Sequence, residues 1–251
     1  MSVVLPAFNA GAFLRPAVLS VLAADVAGLE VVVVDDGSTD GSPRSLDGLG
    51  VRIVRQSNSG EAAARNAGVR AAAGRFVTFL DGDDLLVPDG LAPRLDHLEN
   101  NPSVLAVGGL PSALIDERGE LLAAVFERMA ARRPFPLSLT LADYRADKFF
   151  PVSASLYLYR REAFERAGPY DETLAAAPDA DFHFRLLAFG GIPVLRVATF
   201  ARRLHGANLS MADARRGAPA FRPEILEAIR AVNRRHGLAP AAILPWEAGY
   251  L

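Results

Sequence analysis

The stretch GRFVTFLDGDDLL, residues 74–86, brings three carboxylates, Asp81, Asp83 and Asp84, to the end of a short apolar run. Like charges packed this closely repel one another, and a hard divalent cation takes oxygen ligands of this kind. Gly82 permits the tight turn that aims Asp81 and Asp83 at one place. An isolated Asp-x-Asp is also what a solvated acidic turn looks like, so the tripeptide alone does not decide. A second apolar run, Leu29–Val34, also ends in acid, at Asp35-Asp36-Gly37-Ser38-Thr39-Asp40. A third acidic pair, Asp179 and Asp181, opens a helical pattern after Pro178, where the helix dipole favours the anion.

The bulk composition narrows what those acids serve. The chain has 251 residues, 51% of them hydrophobic, enough for one large α/β domain with a sizeable core. Lysine and arginine total 27 against 29 acidic residues, so no basic field holds nucleic acid by charge, and no nucleic-acid partner is expected. The absence of cysteine excludes disulfides, thiolate nucleophiles and zinc–thiolate sites, so any metal must be bound by oxygen or histidine. Lys148, flanked by Asp147 and Phe149, cannot belong to a Gly-Lys-Ser/Thr phosphate loop. Neither a Gly-x-Gly-x-x-Gly turn after the first strand nor a Gly-x-Ser-x-Gly elbow is present. The amino terminus lacks the basic region and cleavage site of a signal peptide, and no run approaches the roughly 20 apolar residues of a membrane span. A cytoplasmic location with no transmembrane segment is therefore expected.

These acids need elements to position them. Ser2–Leu5 is a short strand candidate closed by a loop at Pro6–Gly11, with a helix to follow in which Leu14, Val18 and Leu22 share a face. Leu29–Val34 reads as a strand buried on both faces, and Val51–Val54 as a weaker one. Glu61–Ala73 is a helix of strong formers that carries Arg65 and Asn66 and is capped by Gly74, and the strand Phe76–Leu80 follows. Four strand–helix units of a parallel sheet would set the polar strand exits, where ligands collect, at one edge. Asp89 is a candidate cap for the helix bearing Leu91, Leu95 and Leu98. Val104–Val107 is the next strand, and Ala113–Ile115 with Leu121–Phe126 form a hairpin appended to the parallel sheet. Residues 127–150 are a candidate lid or acceptor loop. Ser153–Tyr159 is a strand, Arg161–Ala167 a helix closed by Gly168, Phe182–Phe189 a helix and Ile192–Thr199 a last strand. Glu224–His236 is an amphipathic helix that docks on the domain through Leu226, Ile229 and Val232.

Taken in order, VVLPAFN, VVVVDDGSTDGS, NSGEAAARNAGVRAAAGRFVTFLDGDD, PYDETLAAAPDADFHFRLLAFG and HGANLS resemble the family 2 glycosyltransferases of the GT-A fold, over residues 2 to about 210. The resemblance implies an α/β fold, a Rossmann-like mixed but mainly parallel sheet flanked by helices. It divides the chain into a GT-A domain over residues 1–200 and a small helical C-terminal extension, 201–251, packed on it. It further implies a nucleotide-sugar donor, foremost a UDP-sugar, an acceptor of glycan, lipid-linked or small-molecule type, and Mn²⁺ or Mg²⁺ as cofactor. Phe8 matches the ring that stacks on the base, and Asp36 the acid that accepts a hydrogen bond from the uracil ring. Pro6, Asn9, Arg65 and Asp81 complete the nucleotide site, with the Arg65 guanidinium placed to meet phosphate. Asp35 and Asp40 serve their turn instead. Asp81 and Asp83 match the metal motif, and His205 the histidine that closes over metal or diphosphate. Asp179 aligns with the base that deprotonates the acceptor hydroxyl. The family usually reads Glu-Asp there, and this chain has Pro178 in the Glu position. Asp181 is therefore an alternative base, with the other acid capping the helix, and a nucleotide-sugar-binding member without turnover is the alternative function. One base and no evident carboxylate nucleophile imply single displacement with inversion. A haloacid-dehalogenase-like phosphatase would want Thr or Val where this chain has Leu85.

Overall fold

Val3–Leu5 and Val32–Val34 are fully buried, as strands covered on both faces of a sheet must be. The computed structural model describes residues 1–124, 126, 138–145, 153–174, 177–206, 208, 227, 230–232 and 234–237. In chain order the elements begin with β1 (Ser2–Ala7), α1 (Leu14–Leu22), β2 (Glu30–Asp35), β3 (Arg52–Arg55), α2 (Glu61–Ala71), β4 (Phe76–Phe79) and β5 (Leu85–Leu86). There follow α3 (Leu91–Asn100), β6 (Ala106–Leu110), β7 (Ala113–Ile115), β8 (Leu121–Ala124), β9 (Ser138–Leu139) and α4 (Leu141–Arg145). The series closes with β10 (Tyr157–Arg160), α5 (Glu162–Arg166), α6 (Pro178–Leu187), β11 (Ile192–Ala198) and β12 (Phe200–Arg203).

The main sheet has the order β3-β2-β1-β4-β10-β6-β11-β9. The first four strands are mutually parallel, β10 runs antiparallel between β4 and β6, and β11 returns parallel to β6. Strand order reverses between β1 and β4: β2 and β3 build outward on one side of β1, and β4 is laid on the other. The crevice beyond the carboxyl ends of β1 and β4 is thus the topological switch point, where an open α/β sheet takes its ligand. Aromatic packing joins α5, Tyr170 and α6 to β4. Phe182 of α6 lies 4.9 Å from Phe164 of α5 and 4.8 Å from Tyr170, and Tyr170 lies 5.7 Å from Phe79 of β4.

The mixed, mainly parallel architecture agrees with the expected fold class, and several local expectations are corrected. The hairpin β7–β8 is present, but it joins a second sheet, ordered β5-β12-β7-β8, rather than the parallel one. Phe200–Arg203, beyond the strand Ile192–Thr199 expected to be the last, is a further strand that pairs with both β5 and β7. The link from β2 to β3 holds a 3-10 turn, Ser42–Leu46, not an α-helix. In α1 the buried face is Leu14, Ala17, Val18 and Val21, while Leu22 is 42% exposed. A span of 100° per residue carries position 22 round from position 14 by more than a fifth of a turn, and the neighbouring strands cover only the nearer arc. Gly74 does not cap α2. It lets the chain pass Ser2, for a Cβ there would stand 2.7 Å from the Ser2 backbone nitrogen. Asp89 sits in a 3-10 turn, and α3 starts at Leu91 without a side-chain cap. Ala154–Leu156 is likewise a 3-10 turn, so β10 begins only at Tyr157. Most of the expected lid, residues 127–137 and 146–150, lies outside the described residues, as do Leu226 and Ile229; Val232 is buried.

Candidate functional site

The exits of β1 and β2 are stapled to each other. The Asn9 amide donates to Ser38 Oγ (3.0 Å), and Asn9 Oδ1 accepts from the Thr39 amide (2.8 Å). Asn9 has φ of 49°, a left-handed conformation that asparagine tolerates well. Asp35 Oδ1 accepts from the Ser38 amide and Asp40 from those of Gly11 and Ser42, so both acids serve the turn as expected. Pro6 lies in β1 opposite Val34. Phe8 is 50% exposed at the rim and not a core residue. The Asp36 carboxylate is buried, with Oδ1 accepting from Gln56 Nε2 (2.8 Å) and the Ser59 amide (2.8 Å), and Oδ2 from the Gly60 amide (2.9 Å). A carboxylate offers about four acceptor positions, so Oδ2 retains one.

At the exit of β4, residues Asp81–Asp84 form a turn closed by the Asp84 amide on Asp81 O (3.1 Å). Gly82 has no positive φ; its value is the close approach to β1, where a Cβ would meet Pro6 O at 3.1 Å. Asp83 Oδ2 is held by His205 Nε2 (2.9 Å) and more distantly by Asn208 Nδ2 (3.4 Å), and the His205 ring packs on Phe13 at 4.7 Å. Asp84 turns inward, accepting from the Arg203 amide (2.8 Å), and burial beside Asp83 keeps its carboxyl well above the usual range. Arg203 in turn grips Asp83 O and the carbonyls of Asp116 and Glu117, joining the acidic turn to the second sheet.

This donor set has the oxygen chemistry a hard cation takes but forms no finished site. Among the described residues no three His, Asp or Glu side chains converge as a metal cage. Asp81 and Asp83 nonetheless supply carboxylate oxygens at one turn, and such oxygens suit Mg²⁺ or Mn²⁺, whose remaining positions are commonly filled by phosphate and water. His205 stands against Asp83, within reach of the same turn.

The third acid group arrives on α6. Ala177 precedes it with φ of 57°, a left-handed conformation that costs a non-glycine residue about 1–2 kcal/mol. Pro178 takes the first helical turn, where its missing N–H costs nothing. Asp179 Oδ1 accepts from Arg65 Nη1 (2.8 Å) and Oδ2 from the Ala154 amide (3.0 Å), and the side chain is 14% exposed. Burial pushes its carboxyl up to about 7, against the pull of Arg65 and with the repulsion of Glu61 and Asp81. Burial likewise raises Asp81. Asp181 faces away, 1% exposed and bonded to Arg185 Nε and His236 Nε2, each at 2.8 Å. Neither acid caps the helix, because α6 has no side-chain cap. The expectation that one of them would is corrected: Asp179 is drawn to Ala154 across the fold, and Asp181 lies too far along the helix.

The fold thus draws Asp81, Asp179 and Arg65 into one buried ion-pair cluster, sets Asp83 and His205 beside it, and keeps Phe8, Asn9 and Asp36 at the neighbouring strand exits. Asp181 stays outside this group. Sequence reasoning missed Glu61, which pairs with Arg65 Nη2 at 2.5 Å and whose spacing of four on a helix was a usable signal. Asn66, named on its helix without a role, clasps the Tyr170 backbone through both amide atoms, and Asn208, within the HGANLS motif but given no role, donates to the Arg203 carbonyl; Arg203 itself has no signal in the local pattern.

A model of glycosyl transferase family 2 matches residues 2–168. The chain is 28% identical over 190 residues to the uncharacterized glycosyltransferase EpsJ of Bacillus subtilis, covering 73% of this chain and 54% of that one. It is 32% identical over 198 residues to the succinoglycan biosynthesis protein ExoO of Rhizobium meliloti, covering 75% and 56%. Against the chondroitin synthase of Escherichia coli the figures are 27% over 217 residues, covering 84% and 30%. The chain therefore spans 30% to 56% of the length of these relatives. S. aureus TarS 1-349, solved in complex with UDP-GlcNAc, has the same fold at a TM-score of 0.67 and 20% identity, covering 93% of this chain and 65% of that one.

Proposed function

The chain belongs to glycosyl transferase family 2, and from that premise we propose that it transfers a sugar from a UDP-sugar to an acceptor hydroxyl with inversion. The observation that carries this reading is the cluster in which Asp179, on α6, and Asp81, at the exit of β4, meet on Arg65 beside the switch point. The two relatives named for chondroitin synthesis and succinoglycan biosynthesis favour a growing glycan as acceptor. TarS, solved with UDP and with UDP-GlcNAc, favours a uridine donor.

In this reading Phe8 offers a ring face to the base, and Asp36 its remaining acceptor position to the base edge. Asn9 and Pro6 shape the strand exit beneath them. Asp81, Asp83 and His205 would hold Mn²⁺ or Mg²⁺, which when bound stabilises negative charge on a departing diphosphate as a Lewis acid. Asp179 takes the acceptor proton. Its raised affinity for protons makes it a stronger base once ionised than a solvated aspartate, and general-base assistance is worth about 10²–10⁴ in rate. No carboxylate is assigned to attack the sugar, hence inversion. We take residues 1–200 as the transferase domain, with 201–251 as its extension, and the cytoplasm as the site of reaction. Among the described residues no helix is long and apolar enough to cross a membrane.

The test is release of UDP from a panel of UDP-sugars by purified protein with Mn²⁺, with the product's anomeric configuration read by NMR. Turnover with a β product from an α donor is expected. Nucleotide binding without turnover would favour the binding-only alternative, a preference for purine nucleotides would overturn the base site, and an α product from an α donor would defeat inversion.

A further inference from the structure

Arg65 is 1% exposed, in the middle of α2, and carboxylates reach it from three separate parts of the chain. Glu61 comes from its own helix, Asp81 from the exit of β4 and Asp179 from α6, at 2.5, 3.0 and 2.8 Å. The guanidinium carbon also lies over the Phe79 ring at 5.8 Å and the Tyr170 ring at 5.7 Å, so two aromatic side chains pack against it. A cation enclosed in this way is not presented to a donor phosphate. Instead its two Nη atoms divide the acids between them, Nη1 to Asp179 and Nη2 to Asp81 and Glu61. A planar fork of fixed angle converts two contacts into a set separation, which a flexible ammonium cannot do.

We propose that Arg65 is a positioning residue that ties the donor-diphosphate acid Asp81 to the acceptor-side acid Asp179 and holds both in register. This rests on the roles given to those two acids above. It replaces the phosphate contact that the sequence resemblance implied for Arg65. The two acids do separate work on the two substrates, and α6 is joined to the β4 exit here by a charged bridge. Breaking it frees Asp179 to move with α6 while the nucleotide end stays built.

The test compares wild type with Arg65→Gln and Arg65→Lys. UDP affinity is measured by calorimetry with Mn²⁺, and UDP release from UDP-GlcNAc is followed against pH. Arg65→Gln is expected to keep UDP affinity within about threefold while lowering kcat at least about tenfold, the split that separates positioning from donor binding. It should also move the acid limb of the rate profile upward by about one pH unit or more, because the cation opposing protonation of Asp179 is gone. Arg65→Lys should keep the limb and recover only part of kcat. Equilibrium unfolding without metal supplies a readout that needs no turnover. In cycles pairing Arg65→Gln with Asp179→Asn and with Asp81→Asn, each double variant should be more stable than additivity allows, by about fivefold or more in the unfolding constant. Should Arg65→Gln not fold, Arg65→Lys enters the same cycles under the same criterion. Additive cycles overturn the proposal. So does a tenfold loss of UDP affinity with an unmoved limb, which would put the guanidinium on the donor. Failure of wild type to turn over any donor sinks the transferase reading and leaves the cycles to decide the bridge.

Discussion

Replacing Asp181 by Asn separates the two acids of α6 most cleanly. The Asp181 carboxylate is buried and accepts from Arg185 Nε and His236 Nε2, both at 2.8 Å, with Arg235 Nη1 at 3.9 Å. Asparagine keeps one acceptor oxygen and turns the other into a donor, so one partner loses its bond and faces an N–H. Arg185 also donates to the carbonyls of Ala167, Gly168 and Pro169, so the loss falls mainly on His236. His236 stacks on Phe184 at 3.9 Å, next to the ion pair of Arg235 with Asp171, and this group anchors Arg235 and His236 against α6. A hydrogen bond to a charged buried group is worth about 1.5–3 kcal/mol, so Asp181→Asn should cost about 2–3 kcal/mol. At about 2–4 °C per kcal/mol for a chain of this size, Tm should fall by about 5–10 °C. Asp179 keeps Arg65 and the Ala154 amide throughout, so kcat measured well below Tm should stay within about threefold of wild type. Thermal unfolding and UDP release on the same preparation check both numbers. An unchanged Tm with kcat reduced by about 10² or more would refute the reasoning and make Asp181 the base.

Asp179→Asn should show the opposite pattern, a fall in kcat of about 10²–10⁴ with UDP affinity by calorimetry nearly unchanged. Since burial raises Asp179 to about 7, the acid limb of kcat/KM should lie near pH 7. Its folded value exceeds the unfolded one, so its contribution to stability is complete below about pH 4 and lost as pH rises through about 7. Asp81 and Asp84 are raised as well and add a slope of the same sign, so unfolding at pH 5 and pH 8 should show a smaller loss of stability in Asp179→Asn than in wild type. Asp83→Ala, or chelator on wild type, should lower UDP affinity together with turnover, and full activity in chelator would remove the cation from the account. Gly68→Ala should destabilise by about 1–3 kcal/mol in a denaturant titration, because its Cβ would lie 2.1 Å from Val4 Cγ1 where α2 crosses β1.

What the sequence determined by itself was whatever depends on covalent neighbours. Apolar runs at Val3–Leu5, Val31–Val34 and Phe76–Leu80, the last interrupted only by Thr78, specify buried strands, and the acids and small residues that end them specify polar exits on one edge of a parallel sheet. Pro178 followed by Asp179 and Asp181 marks a helix start for the same reason, since the first turn needs no Pro N–H and favours anions. Short elements escaped this reading. Leu85–Leu86 and Phe200–Arg203 are too brief to show a period, and they are strands only because they pair with each other and with β7. Asp35 and Asp40 serve their own turn and were legible locally, but the partners of Arg65, Asp179 and Asp181 were decided by tertiary structure alone. Arg65 has an exposed-looking place in an alanine-rich helix, and its burial follows from the sheet order that sets α2, the β4 exit and α6 around one point. Asp179 and Asp181 are two residues apart and chemically identical, yet one meets Arg65 and the other His236, because positions two apart on a helix point about 200° apart around its axis. Local pattern fixes which face a residue lies on, and only the packing of distant segments fixes what stands opposite that face.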